Sequence, residues 1–175
     1  FFFNIVLLSS NKNFNLICKQ IKKYKPKYYV INDLKIFNKV KKKFKKSKVK
    51  IINFFNFNDK NIKSEIVISA IPGVAGLNPT INIIGKTKKI LIANKESIIC
   101  GWNLIKEKAK KSKTKIVPID SEHFSIFQLI KNTKTEDIEK IFLTASGGPF
   151  LNLKISKFKK IKPKDALIHP KWKMG

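Results

Sequence analysis

Asp120 and Glu122 are separated by one serine and follow directly on the apolar run at residues 115–119 (KIVPI). Carboxylates at i and i+2 of an extended segment project to the same side, so both can offer oxygen to one hard divalent cation. The same residues also open a helical apolar pattern (Phe124, Ile126, Phe127, Leu129, Ile130), which makes Asp120 or Ser121 an equally good N-cap. The two roles are compatible. Asn94-Lys95-Glu96-Ser97 combines an amide, a cation, an anion and a hydroxyl at a strand-to-helix turn. A lysine there opposes the helix macrodipole, which makes sense if an anionic or carbonyl ligand offsets it; a plain solvent-facing turn is the simpler alternative. Further on, residues 144–150 (TASGGPF) place Ser146 beside paired glycines, a geometry that frees amides for phosphate or polyol oxygens or else forms an ordinary turn closed by proline. Residues 169–175 (HPKWKMG) are too polar to be a core element and read as a loop that can lay Trp172 over a ligand.

These residues need a frame. Apolar runs of strand length recur at residues 5–8, 28–31, 49–52, 65–70, 89–93, 115–119 and 141–143. Between them, Phe14, Ile17, Cys18 and Ile21, then Leu34, Phe37, Val40 and Phe44, recur at helical spacing, and residues 163–168 read as a helical turn. Such alternation predicts an α/β fold: a Rossmann-like parallel sheet with helices on both faces, followed by the start of an α+β catalytic domain. In open parallel sheets ligands lie beyond the carboxyl ends of the strands, and the unusual residues cluster there.

Composition narrows the class. The chain has 175 residues, 43% hydrophobic and 28% charged, enough to bury a core. No run of about 18 apolar residues occurs, so a helical membrane span is not expected. The first residues, Phe1-Phe2-Phe3-Asn4, lack a methionine, a basic leader and a cleavage site, and both ends read as cut. The formal charge is +27, yet every basic residue is lysine. A surface built to read nucleic acid uses arginine, so this excess, beside abundant Ile, Asn and Phe, fits drift in AT-rich coding DNA better. The dense lysines of residues 39–63, including Lys41-Lys42-Lys43 and Lys45-Lys46, read as the solvated face of a helix. Cys18 and Cys100 have no metal-type spacing and read as reduced thiols of a cytoplasmic protein.

Taken in order, the blocks at residues 91–97 (LIANKES), 118–128 (PIDSEHFSIFQ), 143–150 (LTASGGPF) and 169–175 resemble the amino-terminal half of the 1-deoxy-D-xylulose 5-phosphate reductoisomerases. That resemblance implies NADPH- and metal-dependent (Mg2+, Mn2+ or Co2+) conversion of 1-deoxy-D-xylulose 5-phosphate to 2-C-methyl-D-erythritol 4-phosphate, a step of non-mevalonate isoprenoid synthesis. It implies Asp120 and Glu122 as metal ligands, and Lys95, Ser121, Glu122, Ser146 and His169 as substrate-binding positions. Catalytic roles fall to Lys95, Asp120, Glu122 and His169. Cofactor contacts fall to Asn94, Glu96 and Gly175, with Asn11, Lys12 and Asn13 at the adenosine end. It further implies an NADPH-binding domain at residues 1–112, the start of a catalytic domain at 113–175, and a homodimer acting on a sugar phosphate, with no membrane or specific nucleic-acid partner. The family's first strand and Gly-rich phosphate turn would precede Phe1; its third metal carboxylate and helical domain would follow Gly175. The chain alone is therefore expected to turn nothing over. Competing readings are another Rossmann oxidoreductase, which lacks a Tyr-Lys or His-Asp arrangement here, and a basic nucleic-acid module using Phe54, Phe55 and Phe57.

Overall fold

The computed structural model describes residues 3–53, 62–143 and 148–168. Phe54, Phe55, Phe57, Ser146, His169, Trp172 and Gly175 lie outside the described residues. The chain divides into two compact units, Phe1–Val117 and Pro118–Gly175.

In the first unit, β1 (Leu7–Ser10), α1 (Phe14–Tyr24), β2 (Tyr28–Ile31), α2 (Leu34–Lys43) and β3 (Lys50–Ile52) alternate. They are followed by β4 (Ser64–Ser69), a 3-10 turn (Val74–Gly76), α3 (Leu77–Ile83), β5 (Thr87–Ile92), α4 (Lys95–Ser112) and β6 (Lys115–Pro118). The strands form two three-stranded sheets, ordered β1-β2-β3 and β4-β5-β6, and the pairs β1–β2, β2–β3 and β4–β5 run parallel. The expected α/β architecture is present, as two sheets. The first strand starts two residues later than its apolar run because the ladder pairs Leu7 with Tyr28 and Ser10 with Ile31.

β2 is buried throughout, and its alternation feeds two cores. Tyr29 and Ile31 pack with Ile17 and Ile21 of α1 and Val40 of α2. Tyr28 and Val30 join Ile90 and Ile92 of β5 and Ile105 and Ala109 of α4. Period-two alternation against helices on opposite faces is what a doubly covered strand requires. The lysines of α2 stay outside as expected, and Lys41 and Lys43 lay their ammonium groups over Phe37 and Phe14 at 5.3 and 5.1 Å. β4 is less protected: Ile66 and Ile68 are exposed.

The Tyr29 hydroxyl donates to Gln20, and burial pushes it up to about 12, opposed by a hydrogen bond with Ser10. A phenol harder to ionise when folded lends stability that is complete below about pH 10, the ordinary tyrosine value, and lost as pH rises through 12. Urea midpoints measured between those pH values should therefore fall less steeply for Tyr29→Phe than for the parent.

The second unit contains α5 (Ser121–Ile130), two 3-10 turns (Thr135–Asp137 and Ile155–Lys160) and α6 (Pro163–Ala166). No hydrophobic residue described in it is buried. The strand expected at 141–143 does not form: Ile141, Phe142 and Leu143 are irregular and exposed, with no ladder partner among the described residues. Three apolar residues cannot hold an extended conformation without a neighbouring strand to take their backbone groups. The isolated 175-residue chain should consequently bind an apolar fluorescent dye, and limited proteolysis should cut first beyond Pro118.

Candidate functional site

The first unit carries a cleft of about 690 Å³ at the carboxyl ends of its strands. Ser9, Ser10 and Asn11 line it from the end of β1, Asn32 from the end of β2, and Ala70 and Ile71 from the end of β4. A crevice at this end of a parallel sheet is where dinucleotides bind in doubly wound folds. Of the three residues expected at the adenosine end, Asn11 lines the cleft and Lys12 is exposed beside it in sequence. Asn13 caps α1, its side-chain oxygen accepting from the Leu16 amide at 3.0 Å.

The turn after β4 is held by a buried polar frame that the spacing of residues did not reveal. Ser69 and Thr80 share a hydrogen bond at 2.6 Å, and Thr80 donates to the Gly76 carbonyl at 2.7 Å. Gly73 sits at φ 68°, ψ −173°, a region essentially reserved for glycine. Asn94, only 4% exposed, closes the frame. Its oxygen accepts from the Ser97 amide at 3.0 Å as the cap of α4, while its nitrogen donates to the carbonyls of Ile71 and, at 2.9 Å, Gly73. An asparagine with all these bonds ties the β4–α3 turn to the start of α4. Lys95 and Glu96, half-buried and exposed, are thereby presented in the first turn of α4. The visible signal for this frame was Thr80, a hydroxyl between Leu77 and Ile81 on the short helix α3.

Ser97 is fully buried, and its hydroxyl has no hydrogen-bond partner among the described residues. Removing a buried, unpaired hydroxyl relieves its desolvation cost. Ser97→Ala should leave the thermal midpoint unchanged or raise it, whereas a loss above about 1 kcal/mol would mean that the hydroxyl is bonded.

In the second unit Asp120 is 9% exposed and caps α5, its Oδ1 accepting from the His123 amide at 3.2 Å. The ring Nδ1 of His123 lies 2.7 Å from the same oxygen. Glu122 accepts from the Ser121 hydroxyl at 2.9 Å. The cap role of Asp120 is thus realised. The extended-segment argument is not, because only Asp120 is extended (ψ 149°) while Glu122 lies inside the helix. Both acids occupy the first turn, where the partial positive charge of the helix end favours them. As cation ligands they fit in part. Asp120 is a buried carboxylate bonded through one oxygen, and its other oxygen has no partner among the described residues. Among the described residues no group of three or more His, Cys, Asp or Glu gathers, so these two acids form an incomplete set.

Residues 2–101 match the family profile described as 1-deoxy-D-xylulose 5-phosphate reductoisomerase. The chain belongs to the 1-deoxy-D-xylulose 5-phosphate reductoisomerase family. Residues 116–175 match the profile of the reductoisomerase C-terminal domain. The reductoisomerase of Pelagibacter ubique is 51% identical, over 99% of this chain and 46% of that protein. That of Clostridium novyi is 41% identical, with the same coverage. The Zymomonas mobilis reductoisomerase, solved in complex with NADPH, superimposes with a TM-score of 0.78 at 29% identity, covering 96% of this chain and 45% of that one. A reductoisomerase solved with NADPH, fosmidomycin and magnesium gives a TM-score of 0.74 at 28% identity, covering 98% and 46%. The chain therefore spans about half the length of the reductoisomerases it matches. Among the described residues no helix is long and apolar enough to cross a membrane.

Proposed function

We propose that this chain is the cofactor-binding and early catalytic part of a reductoisomerase that converts 1-deoxy-D-xylulose 5-phosphate to 2-C-methyl-D-erythritol 4-phosphate. The observation that carries this reading is the family match over residues 2–101, reinforced by relatives solved with NADPH and magnesium. When bound, NADPH supplies the hydride and a divalent cation polarises the substrate's ketone.

The rest falls to the chain's own side chains. Asn11, which lines the cleft beyond β1, and the exposed Lys12 next to it in sequence take the adenosine end of the cofactor; Asn13 adds its amide while capping α1. Asn94 and Glu96 serve the nicotinamide side, Asn94 through the frame it holds and Glu96 from the first turn of α4. Lys95 places a cation toward the substrate's oxygens, where it counters developing negative charge. Asp120 and Glu122 hold the metal, and Ser121 binds substrate beside them. Ser146 and His169 take the polar end of the substrate and Gly175 a further cofactor contact, three roles that rest on the family resemblance. The domain division proposed is residues 1–112 for NADPH and 113–175 for the start of the catalytic part. The whole protein works as a homodimer. A cytoplasmic location is supported by Cys18 and Cys100, both free thiols.

NADPH consumption tests the assignment. The protein carrying its complete coding sequence should oxidise NADPH only with the pentulose phosphate and a divalent cation present, lose activity to a chelator and regain it with Mn2+. The 175-residue chain, about half a reductoisomerase, should show no turnover. Metal-independent oxidation by the complete protein would refute the proposal.

A further inference from the structure

We infer that His123 is a positioning residue for Asp120, fixing one carboxylate oxygen through its ring so that the other is held ready for the cation. This rests on the metal role proposed above for Asp120.

The geometry separates two jobs on one atom. As an N-cap, Asp120 needs only the bond from the His123 backbone amide, at 3.2 Å. The ring contact at 2.7 Å is shorter and adds nothing to the cap. An ionised carboxylate only accepts hydrogen bonds, so the ring donates through Nδ1. The neutral Nδ1–H tautomer and the imidazolium both carry that proton, and the restraint works in either form. Two donors on Oδ1 set the plane of a carboxylate that could otherwise turn about its last torsion, and Oδ2 keeps no partner among the described residues. The His123 side chain is 49% exposed, so packing does not account for its place. A group that orients a metal-binding side chain from behind typically changes metal affinity by about 10- to 100-fold when removed.

The test measures Mn2+ binding by the electron paramagnetic resonance of free ion, on the protein with its complete coding sequence. NADPH affinity and thermal midpoint are recorded for each variant. His123→Ala should weaken Mn2+ binding by about 10- to 100-fold while leaving NADPH affinity and the midpoint unchanged. His123→Asn, whose amide places an N–H near the position of Nδ1, should recover affinity to within a few-fold. Unchanged Mn2+ affinity in His123→Ala overturns the inference, as does an equal loss in both variants or a fall in midpoint and NADPH affinity together. Asp120→Asn distinguishes the levels. If it binds Mn2+ like the parent, the metal role of Asp120 itself fails; if it loses the ion while His123→Ala keeps it, only the role of His123 fails.

Discussion

Turnover by the complete enzyme should fall by at least about a hundredfold when Asp120 is replaced by asparagine, with the helix α5 left in place. Asparagine caps a helix as well as aspartate does, so the bond from the His123 amide survives and the stability cost is small. What goes is a negative charge on a buried oxygen. Loss of a group that merely orients a metal ligand costs about 10- to 100-fold, and with Asp120 as the ligand proposed above its own loss should exceed that. Asp120→Ala removes the cap as well and adds about 1 kcal/mol of destabilisation. Comparing the two variants by kcat, by Mn2+ affinity and by urea midpoint separates the cap from the ion. Equal activity of Asp120→Asn and the parent would remove Asp120 from the metal site.

Gly76→Ala should be the most destabilising single methyl addition in the first unit. A Cβ there would overlap the side-chain nitrogen of Asn94 and stand 2.5 Å from the Ile71 carbonyl oxygen, with the Ser97 hydroxyl at 3.2 Å. The Ile71 oxygen is backbone and the Asn94 amide is pinned by its own hydrogen bonds, so neither can swing aside. Overpacking of this kind costs about 1–3 kcal/mol, and more where the obstacle is backbone. A loss of about 3 kcal/mol or more in unfolding free energy is expected from urea titration, with weaker NADPH binding because the turn lining the cleft moves. Asn94→Ala alone should also destabilise, by about 1–2 kcal/mol, since it leaves the partly buried Ile71 and Gly73 carbonyls without their partner. The double variant should cost less than the sum, because the shortened side chain makes room for the added methyl. Strict additivity would show that the two residues do not meet.

Much of this was readable from residues near one another in the chain. Strand and helix periods, the cap at Asp120 and the outward lysines of α2 all depend on neighbours within a few positions, and the structure keeps them. The motif blocks at 91–97, 118–128, 143–150 and 169–175, taken in order, likewise pointed to the family that the profile matches show. Where the reading depended on distant partners it failed or fell short. Residues 141–143 have the composition of a strand, but among the described residues no adjacent strand makes them one. The extended-segment argument for Asp120 and Glu122 fails, because the helix begins between them and they sit instead at its N-cap and in its first turn.

Asn94 shows the division best. Its place at a strand-to-helix turn was readable, and the cap it makes there through the Ser97 amide needs only local geometry. That its nitrogen also grips Ile71 and Gly73 depends on where a turn more than twenty residues away is carried by the packing of β4 against β5. Local periodicity and capping are short-range and therefore written into adjacent residues. Which carbonyl a buried amide must satisfy is settled only when the folded backbone brings two turns together and excludes the water that would otherwise serve.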